Sequence, residues 1–128
     1  MSYHNSKLVN YTFEETISKA TDELKKEGFG ILTEIDVKET LKKKLDVDFR
    51  KYKILGACNP PFAYKALQVE ETLGVLLPCN VVVQEKENGK IQVSIVNPME
   101  SMQAVKNPAL EEIAVTVSSK LQKVLESI

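Results

Sequence analysis

One histidine, His4, and two cysteines, Cys58 and Cys79, are all the imidazole and thiol chemistry that these 128 residues hold. Two thiols are too few to close a zinc site, and further ligands would have to come from carboxylates, water or another subunit, so no metal is expected. A lone imidazole at position 4 does not serve a Ser-His-acid set, and no glycine-rich phosphate loop is present, which disfavours serine hydrolysis and nucleotide hydrolysis. The cysteines lack C-x-x-C spacing, which weakens a thioredoxin-like mechanism. Two isolated thiols are expected to stay reduced, so disulfide-framework folds are set aside.

Charge of one sign is also missing. Seventeen Lys and Arg stand against eighteen Asp and Glu, a formal net charge of −1. No field of that size condenses on nucleic acid or anionic lipid. The cluster Lys42 to Lys44 reads as a solvated helix face. No window approaches the ~18 apolar residues of a membrane span, and Met1 to Lys7 hold no apolar stretch of signal-peptide length. The expectation is a cytoplasmic protein with no membrane and no nucleic-acid partner.

What is present suits one ordinary core. Hydrophobic residues make up 43% and charged residues 27% of the chain, values typical of folded soluble domains. A single domain over 1–128 is expected. Ser2 to Asn10 is strand-like. Phe13, Ile17, Ala20 and Leu24 repeat at helical spacing, with a Thr12/Glu15 capping box before them and Gly28 as a stop. Phe29, Ile31, Thr33 and Ile35 alternate as a second strand, and Asp36 caps a short helix through Leu45. Tyr52 to Cys58 is a third strand, and Asn59-Pro60-Pro61 turns the chain into a helix with Phe62/Ala66 and Ala63/Leu67 as inward pairs. Leu73 to Leu77 and Asn80 to Lys86 read as strand interrupted at Pro78. Asn88-Gly89 predicts a two-residue type I′ hairpin into Ile91, Val93 and Ile95. Asn97-Pro98 starts a helical turn and Asn107-Pro108 the last helix, with an apolar stripe from Leu110 to Ile128. The fold class is α+β: a mixed, mainly antiparallel sheet with helices packed mostly on one face.

The runs Leu32-Thr-Glu-Ile-Asp-Val37, Leu55-Gly-Ala-Cys-Asn-Pro60 followed by Ala63 and Ala66-Leu67, Leu76-Leu-Pro-Cys-Asn-Val81 and Val96-Asn-Pro98 resemble, in order and over almost the whole chain, the family known as domain of unknown function 302. The resemblance implies an α+β fold related to the TATA-binding-protein-like arrangement, with helices against a curved, antiparallel-rich sheet. A shared fold does not carry DNA binding with it.

The candidate site follows from those segments. Cys58 ends a strand just before a helix N-terminus, a setting that favours thiolate, although a free cysteine is also a common core residue. Cys79 follows Pro78, where a strand irregularity can re-aim a side chain. Each thiol precedes an asparagine, Asn59 or Asn80. Free amides at the Asn-Pro helix starts, at Asn59, Asn97 and Asn107, suit a small anion, with helix capping by each asparagine as the simpler account. Glu34 and Asp36 place two carboxylates at a strand end, with a cap and a water-facing side chain as the simpler account of both. Met99 and Met102 read as gap-filling core. The leading expectation is a ligand-binding or sensing module with a pocket of Cys58, Asn59, Pro60, Cys79, Asn80, Glu34, Asp36 and Asn97, taking a small molecule or anion and assembling as a homodimer; no cofactor can be named. The alternatives are a thiol-dependent enzyme or redox protein built on Cys58, and a structural partner protein.

Overall fold

The local signals at the start of the chain hold in detail. In the computed structural model, which describes residues 2–128, strand β1 (His4–Val9) leads into helix α1 (Phe13–Lys26). The Thr12 hydroxyl accepts from the Glu15 amide at 3.1 Å, and the Glu15 carboxylate accepts from the Thr12 amide at 2.9 Å, so two orphan donors are satisfied at once. Phe13, Thr16, Ala20 and Leu24 form the buried face. Gly28, at φ 86°, ends the helix: its amide bonds Lys25 O, and that of Phe29 bonds Leu24 O. This pairing needs a left-handed residue that glycine adopts freely.

Strand β2 (Gly30–Asp36), helix α2 (Val37–Leu45), strand β3 (Tyr52–Cys58), helix α3 (Pro60–Val69), strands β4 (Cys79–Glu85) and β5 (Ile91–Val96), and helices α4 (Pro98–Ser101) and α5 (Pro108–Ser127) complete the order. The sheet runs β1-β5-β4-β3-β2, and every neighbouring pair is antiparallel. The parallel pair that β-α-β alternation allows does not form. Helix α1 carries the chain from one edge strand to the other, while α2 and α3 each join adjacent antiparallel strands in place of a hairpin loop.

Leu55, Ala57, Cys79, Val81, Val83, Ile91, Val93 and Ile95 cover one face of the sheet and pack with α1 and the Val117, Leu121, Val124 and Leu125 stripe of α5. Each fully buried Val or Leu contributes about 1.5–3 kcal/mol relative to exposure. Lys7 ties the end of α5 to β1 by donating to the carbonyl oxygens of Leu125, Glu126 and Ile128 at 3.4, 3.3 and 2.8 Å.

Three local readings change. Leu73–Leu76 is a 3₁₀ turn and not strand, and the Leu77–Pro78 peptide that follows is cis. The β4–β5 loop is not type I′, which needs positive φ at both central residues. Of its residues only Gly89 has positive φ, at 81°. The Gly89 amide bonds Lys86 O at 2.8 Å, and the Lys86 amide bonds Lys90 O at 2.7 Å, so the loop is a three-residue connection with Gly89 in the left-handed place. Finally, β2 slips register between Ile31 and Thr33. Ile31 opposes Ala57 on the core side, but Thr33 and Ile35 oppose Gly56 and Ile54 on the other. The extra residue, Leu32, is left 66% exposed. A strict alternation could not show this bulge.

Candidate functional site

Strand register brings the two thiol-bearing segments together. Ala57 is the cross-strand partner of Cys79, which places Cys58 diagonally beside it at the same end of the sheet. Successive side chains leave a strand on opposite faces. Cys79 therefore lies with Ala57, Val81 and Val83 under the helices, while Cys58 is half-buried. Both cysteines are free thiols, and both border the cavity described next. Burial pushes the Cys79 thiol from its ordinary 9.0 up to about 11, and neighbouring Cys58 adds a smaller push in the same direction.

Beyond this end of the sheet lies a partly enclosed cavity of about 300 Å³. Its floor is Phe29, Ala57 and Cys79; α3 supplies Phe62, Ala63, Ala66 and Leu67; the 3₁₀ turn and its exit supply Leu73, Leu77 and Pro78; Met102, Leu110, Ile113, Ala114 and Val117 close the far side. Leu32, turned outward by the bulge, stands at the rim with Leu67. Cys58, Asn59 and Pro98 complete the lining, which holds no Lys, Arg, His, Asp or Glu. The space exists because small residues face one another across it: Ala57, Ala63, Ala66 and Ala114 leave room that longer side chains would fill.

Asn59 is 8% exposed and makes no side-chain cap on α3. Its Nδ2 donates to Glu27 O at 3.1 Å instead, stitching α3 to the end of α1. Asn97 and Asn107 behave as expected, with Oδ1 accepting from Met99 N at 3.2 Å and Ala109 N at 3.1 Å. The first turn of α3 is a poor anion site. Pro60 and Pro61 have no N–H, and the Ala63 amide is spent on Asn59 O.

The other expected site residues do not join this cavity. Pro60, the first residue of α3, is exposed and does not line the cavity. Asn80 opposes Gly56 on the sheet face away from Cys79, as strand alternation requires. Glu34 is exposed in a separate shallow groove with Thr21 and Leu32. Asp36 caps α2 through Glu39 N at 3.0 Å. Asn97 is engaged by Met99 N and by the Ser118 hydroxyl at 3.1 Å, though its neighbour Pro98 does reach the cavity. Met99 is 41% exposed and outside the core, whereas Met102 packs beside Leu73 and Leu110. Among the described residues, no three His, Cys, Asp or Glu side chains gather as a metal would require, and no helix is long and apolar enough to cross a membrane.

The sequence missed Leu77, Leu110, Ile113 and Val117 as lining. Their apolar character reads equally well as core, and only the recurrence of alanine on facing elements signals that they border a space.

The family model described as Domain of unknown function DUF302 matches residues 5–128. Among solved structures, the chain is similar to one described as the crystal structure of an uncharacterized conserved protein DUF302 from Bacillus stearothermophilus. The two share 33% sequence identity and a TM-score of 0.92, over 99% of this chain and 98% of that one. No curated protein matches the chain.

Proposed function

The chain belongs to the DUF302 family, and since membership brings a fold without an activity, we propose from geometry that it is a binding or sensing module whose small ligand occupies the cavity beside Cys58 and Cys79. The observation that carries this reading is the cavity itself. About 300 Å³ lies at the lower end of the range of small-molecule sites, which are mostly apolar with a few placed polar groups. The hollow is partly open, so its apolar lining meets water, and an apolar guest seated there would remove that surface from water and gain close contacts with it.

The same lining speaks against a small anion, since it offers neither a cation nor a row of free amides, and an unpaired charge there would be desolvated without compensation. It supports a thiol enzyme less well. A nucleophilic cysteine is activated by an adjacent base or a lowered pKa, and the lining contains no base.

Naphthalene titrated into isotope-labelled protein and followed by NMR tests the reading. Shifts confined to Ala57, Ala63, Ala66, Ala114 and Val117, and lost in a folded Ala63→Leu variant that fills the space, are expected. Shifts that are absent, or scattered over the surface, would overturn it.

A further inference from the structure

The apolar lining contains one polar side chain that the protein leaves half used. Asn59 is 8% exposed and borders the cavity. The orientation of its amide is fixed by chemistry: Glu27 O is a carbonyl and can only accept, so the group 3.1 Å from it must be Nδ2. Gly28 backs the amide on that side, where a Cβ would come within 3.0 Å of Nδ2. Oδ1 is therefore turned the other way. The cap that a helix-start asparagine ordinarily makes with this oxygen is not formed. Among the described residues, no side-chain nitrogen or oxygen is both fully enclosed and without a partner, so Oδ1 keeps access to open space.

Resting on the binding reading above, we propose that the ligand is an uncharged, largely apolar molecule carrying one hydrogen-bond donor, a hydroxyl or a ring or amide N–H, which Asn59 Oδ1 accepts. The acceptor gives the guest an orientation that the featureless alkyl walls do not. An acid is selected against, because a carboxylate would face the carbonyl oxygen of Asn59 with no Lys, Arg or His in the lining to offset it. An ammonium is selected against as well, since one neutral acceptor replaces only a part of its hydration.

Indole, indene and indole-3-carboxylate, titrated separately into the wild-type protein, separate the parts of this argument. The first two share size and shape, but only indole has the N–H. Indole is expected to bind about tenfold more tightly than indene, the worth of one hydrogen bond to an otherwise unpaired acceptor, and indole-3-carboxylate more weakly than indole. The Asn59→Ala variant, where it folds, is expected to erase the indole advantage and leave indene unchanged. Equal affinity for indole and indene would overturn the role of Asn59 while the apolar site stands. Carboxylate binding as tight as that of indole would overturn the uncharged class. Failure of all three to bind would remove the cavity reading and this inference with it.

Discussion

Gly56 is where a single missing side chain holds two segments in place. A Cβ there would clash with Thr33 Oγ1 and come within 2.8 Å of Pro78 Cγ. The threonine can rotate, but the proline ring is fixed to the strand that follows it. Gly56→Ala is expected to lower stability by about 1–3 kcal/mol in urea unfolding, the usual cost of overpacking. Gly74→Ala is the control. Nothing lies within 4 Å of that position, and a change under about 1 kcal/mol is expected. Equal effects would mean that Pro78 yields. Cys79 gives a second residue-scale prediction, in pH. Its folded value of about 11 exceeds the ordinary 9.0, so the folded chain holds the thiol proton more tightly than the unfolded chain does. That contribution is fully present below pH 9 and is lost as pH rises through about 11, amounting to about 2–3 kcal/mol. Denaturation profiles of wild type and Cys79→Ala should diverge by this amount across that window, the wild type falling faster. Parallel profiles would show that the thiol ionises in the folded state without penalty.

The three Asn-Pro steps show how far an element's role can be read from its sequence. All three open helices, and all three were legible as helix starts from the fixed φ of proline and the short polar side chain before it. What the side chain does depends on what the fold brings near. Asn107 caps α5 and also donates to Val69 O at 2.9 Å and Glu70 Oε1 at 3.2 Å, binding the end of α3 to the start of α5. Asn59 gives up the cap for a carbonyl 32 residues away in sequence. No local pattern separates these outcomes. Asn107→Ala is expected to cost about 1–2 kcal/mol, and Asn107→Ser, which keeps an acceptor for the cap but loses the bonds to Val69 and Glu70, should fall between the variant and wild type in thermal unfolding. A serine variant as unstable as the alanine one would place the loss in the bridge to α3. The bulge at Leu32 was illegible for a related reason: Phe29, Ile31, Thr33 and Ile35 alternate without a break, and the slip exists only relative to β3.

At the scale of the molecule, burial is divided unequally. Sheet, α1 and most of α5 share one large cluster, while Ala66, Leu73 and Leu110 form a second, much smaller one beneath α3 and the 3₁₀ turn. The architecture was readable because the large cluster follows from periods of 2 and 3.6 along each element. The cavity was readable only at Cys58, Asn59 and Cys79; its α3 wall was not, because α3 carries the apolar stripe of a packed helix, Phe62 and Ala66 beside Ala63 and Leu67, and periodicity says which side faces inward without saying how far away the opposing surface lies. A segment held by few buried contacts opens at a lower free energy than the body it leans on. In native-state hydrogen exchange, amides of residues 60–76 are therefore expected to exchange ahead of those in β3, β4 and β5, and saturating indole to slow the first group selectively, by a factor that grows with ligand concentration. Uniform protection across both groups would mean that α3 is not a separable wall. Protection by indole confined to the sheet would place the guest elsewhere.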